Sequence, residues 1–236
     1  MSTEILFCGD VHRRMRHVVE AALRIQPMAV VLLGDIEPVR PLHIELAPIR
    51  DFVWWLTGNH DTDRPASWRH LMESELADRC LDGRVVTFTD GTRLAGLGGI
   101  FRGEVWHPSA LPRYASREEW LRRTAPSPEQ RLKHRSTIFH DEYLRLATQR
   151  ADILVTHEAG ACHPYGFEAI DELASAMGVS ASFHGHQHDR LDYSESWPAL
   201  GFRAFGVGLR GITNRRGEVI LPGELDEARS KSRRAR

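Results

Sequence analysis

Five short segments of this chain place good metal ligands directly after a small residue: Gly9-Asp10-Val11-His12, Gly34-Asp35, Gly58-Asn59-His60-Asp61, Thr156-His157 and Gly185-His186-Gln187-His188. Carboxylate oxygen and imidazole nitrogen together suit divalent first-row cations, and the lack of paired cysteines argues against a structural zinc knuckle. In Asp10-x-His12 and His186-x-His188 the two ligands stand at i and i+2, so on an extended segment they project to one side and can face one metal centre. The glycines let the backbone turn tightly beside an ion. Each fragment alone is weak, because Gly-Asp is common in turns and a lone histidine is more often structural; the ordered set carries the signal.

Distant ligands need a frame that brings them together, and each segment follows an apolar run. Residues 5–8 read as a short buried strand, and 14–26 carry Met15, Val18, Val19, Ala22 and Leu23 at helical spacing before Pro27. Residues 28–33 and 52–56 are further apolar runs that end in Gly34-Asp35 and Gly58-Asn59. Strands alternating with helices predict an α/β fold with a largely parallel first sheet, whose carboxyl edge is where such ligands would meet. Residues 84–89 and 93–97 form a hairpin around Asp90-Gly91. A helix over 137–150, a strand at 153–155, a helix over 166–177 and a strand at 179–183 resume the alternation, and 202–207 with 218–221 close it. Between them, residues 98–130 hold Pro108, Pro112, Pro126, Pro128 and two short charged helical stretches, either an excursion that shapes a binding site or a plain surface loop.

With 236 residues, 42% hydrophobic and 27% charged, the chain has the balance of one folded domain, expected over residues 1–223. Residues 224–236 end in basic side chains without apolar periodicity and are expected to be disordered. A net charge of -1 gives no overall field for a long polyanion, so any phosphate site must be local. The longest apolar run, 28–33, is too short to cross a bilayer, Met1-Ser2-Thr3-Glu4 lacks the basic start of a signal peptide, and three cysteines form no disulfide framework. A cytoplasmic protein without membrane partners is expected.

In this order the segments resemble the calcineurin-like metallophosphoesterases, whose pattern of Asp-x-His, Gly-Asp, Gly-Asn-His-Asp or Glu, a lone His and Gly-His-x-His runs complete from Asp10 to His188. The resemblance implies two mixed β-sheets packed as a sandwich and flanked by helices. It also implies two divalent metal ions, Mn2+ first with Fe2+ or Zn2+ as alternatives. Asp10, His12 and His188 would hold one ion, Asn59, His157 and His186 the other, and Asp35 would bridge them. Two such cations can share a bridging hydroxide as nucleophile while neutralising the phosphoryl oxygens. His60 is left to protonate the departing alkoxide, with Asp61 a candidate to orient its ring or else an ordinary loop carboxylate.

Departures from the pattern bear on the substrate. After Gly34-Asp35 the chain reads Ile36-Glu37-Pro38-Val39-Arg40, without the Asp-Arg-Gly continuation of the Ser/Thr protein phosphatases, so a small phosphodiester or nucleotide-like substrate is favoured over a phosphoprotein. Residues 97–103, Leu-Gly-Gly-Ile-Phe-Arg-Gly, loosely resemble a segment of RNA lariat debranching enzymes. That makes Arg102 a candidate phosphate contact, with Arg13 of similar standing and Trp106 and His107 as candidate site walls, against a reading of turn glycines with a buried Trp. A nuclease acting on nucleic-acid ends would need a basic groove built by Arg102, Arg113 and Arg117. A non-catalytic scaffold of the same fold is the remaining alternative, and the presence of His60 with the whole ligand set weighs against it.

Overall fold

A computed structural model describes residues 2–226. Ten strands, β1 (Ile5–Cys8), β2 (Ala29–Leu32), β3 (Val53–Trp55), β4 (Arg84–Thr87), β5 (Arg93–Leu97), β6 (Ile153–Thr156), β7 (Ala181–His184), β8 (Arg203–Gly206), β9 (Ile212–Asn214) and β10 (Val219–Leu221), form two mixed sheets. Their orders are β10-β9-β1-β2-β3 and β4-β5-β6-β7-β8. Within the first, β1, β2 and β3 run parallel, with Phe7 opposite Val31 and Val31 opposite Trp54. Within the second, β5 to β8 run parallel and β4 joins β5 as the expected antiparallel hairpin.

The apolar runs are continuous because both faces of each central strand are covered. Ile5, Phe7, Val31 and Leu33 face the opposite sheet, meeting Ile153, Val155, Phe183 and Phe205 in a shared core. Phe7 stacks on Phe183 with ring centroids 3.9 Å apart, and Phe183 on Phe205 at 5.0 Å, so one aromatic column ties the two sheets together. The alternate residues Leu6, Cys8, Val30 and Leu32 lie under the helix Arg16–Ile25 through Val18, Ala21 and Ala22. On the far side, Leu154 and Ala204 are covered by Ile170, Leu173, Ala174 and Met177 of the helix Glu168–Met177. The architecture is thus the expected helix–sheet–sheet–helix sandwich.

Local differences have local causes. The helix expected over 137–150 begins only at His140, because Ile138 N–H donates to the Ile100 carbonyl (3.0 Å) and Thr137 bridges Ile100, which keeps this stretch extended. Strand β9 has no apolar run to announce it. The segment 98–130 is ordered, with helices at Arg117–Thr124 and Pro128–Lys133 capped by the Ser116 and Ser127 hydroxyls. Of the expected tail, Glu224 N–H donates to the Leu209 carbonyl (2.9 Å) and Gly223 N–H to the Asp226 carboxylate (2.8 Å); residues 227–236 lie outside the described residues. Cys8, Cys80 and Cys162 are free thiols. Among the described residues no helix is long and apolar enough to cross a membrane.

Candidate metal centre

The ligand-bearing segments follow the carboxyl ends of β1, β2 and β3 in one sheet and of β6 and β7 in the other, and they converge at one edge of the sandwich. The loops are stitched together by backbone: His12 N–H donates to the Asp35 carbonyl and Arg13 N–H to that of Ile36, each at 2.9 Å. Space is tight enough to require glycine. A Cβ on Gly34, whose φ is +93°, would collide with the His157 ring and stand 2.8 Å from Gly58 N, and one on Gly58 would collide with Asp35. Of the ten non-glycine residues with positive φ among the described residues, seven are Asp10, His12, Arg13, Asp35, Glu37, His186 and His188. Backbone strain is therefore concentrated where the donors converge, a distribution that points to function rather than to folding economy.

Ligand atoms of Asp10, His12, Asp35 and His188 all lie within 4.8 Å of one another, and so do those of Asp35, His157 and His186. The two groups meet in Asp35. Asn59 belongs with the second, its Oδ1 lying 3.1 Å from His157 Nε2. The imidazoles are held so that Nε2 faces inward: His157 Nδ1 donates to the Leu33 carbonyl (2.7 Å), and His12 Nδ1 to Glu37 Oε1 (2.7 Å). His12 Nε2 then stands 3.1 Å from His188 Nε2, and His157 Nε2 3.5 Å from Asp35 Oδ1. Asp10 accepts from His186 N–H (3.0 Å) and Asp35 from His60 N–H (2.8 Å), but Asp10 Oδ2 and Asp35 Oδ2 are buried with no hydrogen-bond partner. Buried carboxylate oxygens facing inward-turned imidazole nitrogens are what a divalent cation of the first transition row accepts as donors, so the residues fit such ions.

The electrostatics show how much positive charge this frame calls for. Burial pushes the Asp10 carboxyl up to about 7, with the charge of Asp35 adding to the effect. Asp35 is buried too, yet the neighbouring His157 holds it below the usual carboxylate range. Burial works against charge on His157, but Asp35 foremost and then Asp10 hold its pKa up to about 10. His186 goes the other way, down to about 3, through burial and the positive charge on His157. The buried carboxylates, Asp35 foremost, thus favour positive charge at this edge of the fold, which bound cations would supply.

The remaining expected residues sort by their contacts. Asp61 does not reach the His60 ring: its Oδ1 accepts from the N–H of Ile36 (2.8 Å) and Glu37 (2.7 Å), and its Oδ2 from Gly58 N–H (2.8 Å). The carboxylate against His60 Nδ1 is Asp63, at 2.6 Å, a contact that sequence reasoning missed although Asp63 sits three residues on. Arg13 Nε (3.1 Å) and Nη2 (2.6 Å) donate to Glu37 Oε2, so Arg13 steadies the carboxylate that orients His12. Arg102 is half-buried, donates from Nε to Thr137 Oγ1 (3.0 Å), and has no hydrogen bond from its terminal nitrogens among the described residues. Trp106 is a core residue packed on Phe101 and Tyr143 rather than a site wall. Arg117 is tied to Glu142 (3.5 Å) and to the His134 carbonyl, which removes it from any open basic groove.

Asp61 therefore clamps the loop after β2 to the loop after β3. Asp61→Ala would strand three N–H donors, those of Ile36 and Gly58 buried and that of Glu37 part-buried, and is expected to cost roughly 3 kcal/mol, lowering the thermal unfolding midpoint by roughly 6–12 °C. A midpoint within about 2 °C of wild type, measured on the chelated protein, would remove the clamp from the account.

A family model described as calcineurin-like phosphoesterase matches residues 3–190. An uncharacterized protein of Haemophilus influenzae is 34% identical over 226 residues, covering 92% of this chain and 96% of its own. Among solved structures, TT1561 of Thermus thermophilus has a TM-score of 0.55 at 14% identity, covering 94% of this chain and 99% of that one. A dimetal phosphatase from Danio rerio has a TM-score of 0.52 at 15% identity, covering 94% and 93%. At such identities the structural likenesses establish the fold. Family membership rests on the family model, which spans most of the sequence, and by it this chain belongs to the calcineurin-like phosphoesterase family.

Proposed function

We propose that this protein hydrolyses a phosphate ester with two divalent metal ions, Mn2+ foremost, held by Asp10, His12 and His188 on one side, Asn59, His157 and His186 on the other, and Asp35 between. The observation that carries the reading is that the two donor groups share Asp35, whose Oδ2 is buried without a partner. Bound there, such a pair supplies a water of lowered pKa as nucleophile and neutralises phosphoryl oxygens. The chain's own groups do the rest. Glu37 on His12 Nδ1 and the Leu33 carbonyl on His157 Nδ1 keep both Nε2 atoms turned inward. His60, whose ring lies 5.6 Å from that of His12, makes no hydrogen bond through Nε2 among the described residues, and it delivers the proton to the departing oxygen. The free terminal nitrogens of Arg102 suit a phosphoryl oxygen or a second ester arm, which supports a phosphodiester or nucleotide-like substrate. The reading takes residues 1–223 as one domain acting in the cytoplasm.

The test is hydrolysis of bis-p-nitrophenyl phosphate and p-nitrophenyl phosphate by protein stripped with chelator and reloaded with Mn2+. Turnover should vanish on stripping, return with the metal, and be faster on the diester. Metal-independent turnover, or none on either ester, would defeat the proposal; a faster monoester would overturn the diester preference alone.

A further inference from the structure

We infer that Asp63 is the residue that positions His60 for proton delivery, an inference that rests on the phosphoesterase reading above. Asn59–Thr62 form a 3-10 turn, and Asp63 N–H donates to the His60 carbonyl (3.2 Å). With three residues per turn, side chains at i and i+3 stand over one another, so this local geometry places a carboxylate against the imidazole without help from the rest of the fold. The result is the 2.6 Å contact from His60 Nδ1 to Asp63 Oδ2. The main chain at the other end is fixed too, because His60 N–H donates to Asp35 Oδ1 (2.8 Å). Asp61, next to His60 in the chain, is buried and engaged with three backbone N–H groups on the far side of the turn.

A carboxylate acceptor on Nδ1 does two things. It keeps Nδ1 a donor, so the proton available for transfer is the one on Nε2, and it limits rotation of a ring that makes no other hydrogen bond among the described residues. The side chains of His60 and Asp63 are 46% and 57% exposed, so as a surface ion pair they would add little to stability. Loss of Asp63 should therefore leave the fold intact and act on the proton step, which separates a positioning role from a structural one.

The experiment compares wild type, Asp63→Asn, Asp63→Ala, His60→Ala and the double alanine variant, each loaded with Mn2+. The substrates are whichever p-nitrophenyl ester above is turned over and its unsubstituted phenyl counterpart, whose leaving group depends more on protonation. For Asp63→Ala, kcat should fall roughly tenfold to a hundredfold on the phenyl ester and less than about threefold on the nitrophenyl ester, with KM unchanged. Asp63→Asn should recover part of the loss, since its amide oxygen still accepts from Nδ1–H. The double variant should be no slower than His60→Ala. In 15N-histidine spectra of the chelator-stripped proteins, where no paramagnetic Mn2+ broadens the signals, the Nδ1-protonated signature of His60, assigned by its loss in His60→Ala, should survive in Asp63→Asn and broaden or vanish in Asp63→Ala, whether or not either ester is turned over. Equal losses on both esters, additive losses in the double variant, or an unchanged His60 signature in Asp63→Ala would overturn the inference. Insensitivity of the phenyl ester to His60→Ala would instead sink the general-acid reading, and Asp63's part with it.

Discussion

Replacing Asp35 with Asn is expected to leave a folded protein that binds fewer than two equivalents of Mn2+ and turns over phosphate ester roughly a thousandfold or more slowly. The substitution keeps volume and shape, and Asn tolerates the left-handed backbone found here (φ 50°), so it isolates the charge. Its amide oxygen at the Oδ1 position can still accept from His60 N–H, but its nitrogen at the Oδ2 position would point donors toward the His12 Nε2 that faces it now. Because Asp35 stands in both donor groups, both sites should weaken, unlike an Asn59 or His186 variant, which touches one. Metal content by elemental analysis reads this without any assay. Calorimetry gives a second measure: metal at a hundredfold over its Kd should raise wild-type stability by about 2.7 kcal/mol per site, and most of that rise should be lost in the variant. Two equivalents retained, or activity within about tenfold of wild type, would mean that Asp35 does not bridge.

That such a variant can be chosen from sequence shows where this chain is legible. The strands β1, β2 and β3 are visible because burial on both faces leaves unbroken apolar runs, and the glycines that follow β2 and β3 are made obligatory by the close approach of Gly34, Gly58 and His157. Order and spacing then place Asp10, His12, Asp35, Asn59, His157, His186 and His188 at one edge of the fold. What sequence hides is partnership between side chains. In the chain Glu37 reads either as a solvated loop acid or as a group that supports a ligand, and only in space does it hold His12 Nδ1 and stand held by Arg13. Asp61 and Asp63 are both acids within three residues of His60, and only the 3-10 winding, with the three N–H groups that claim Asp61, decides which meets the ring. Strand β9 is hidden for another reason: three residues with a polar centre, Ile212-Thr213-Asn214, take their conformation from pairing with β1 rather than from any pattern of their own.

The second large effect concerns His60, and its expected signature is the reverse of that for Asp35. His60 belongs to neither donor group, so His60→Ala should keep two equivalents of Mn2+ and, with its ring half-exposed, an unfolding midpoint within a few degrees of wild type. What it should lose is roughly a hundredfold to ten-thousandfold in kcat on an ester with a basic alkoxide leaving group, the share that a well-placed general acid contributes. A p-nitrophenolate departs without protonation, so the same variant should lose far less on the nitrophenyl esters, and the ratio between the two substrates is the diagnostic quantity. This contrast also separates two other roles. A histidine that binds the phosphoryl group in ground and transition state alike would raise KM on every ester by a similar factor and leave the leaving-group ratio untouched. A histidine that reaches a metal ion would lower metal content, as Asp35→Asn does. The half-exposed ring, with no hydrogen bond at Nε2 among the described residues, and the Nδ1 anchored on Asp63 favour the general acid, and a loss of equal size on both leaving groups would exclude it.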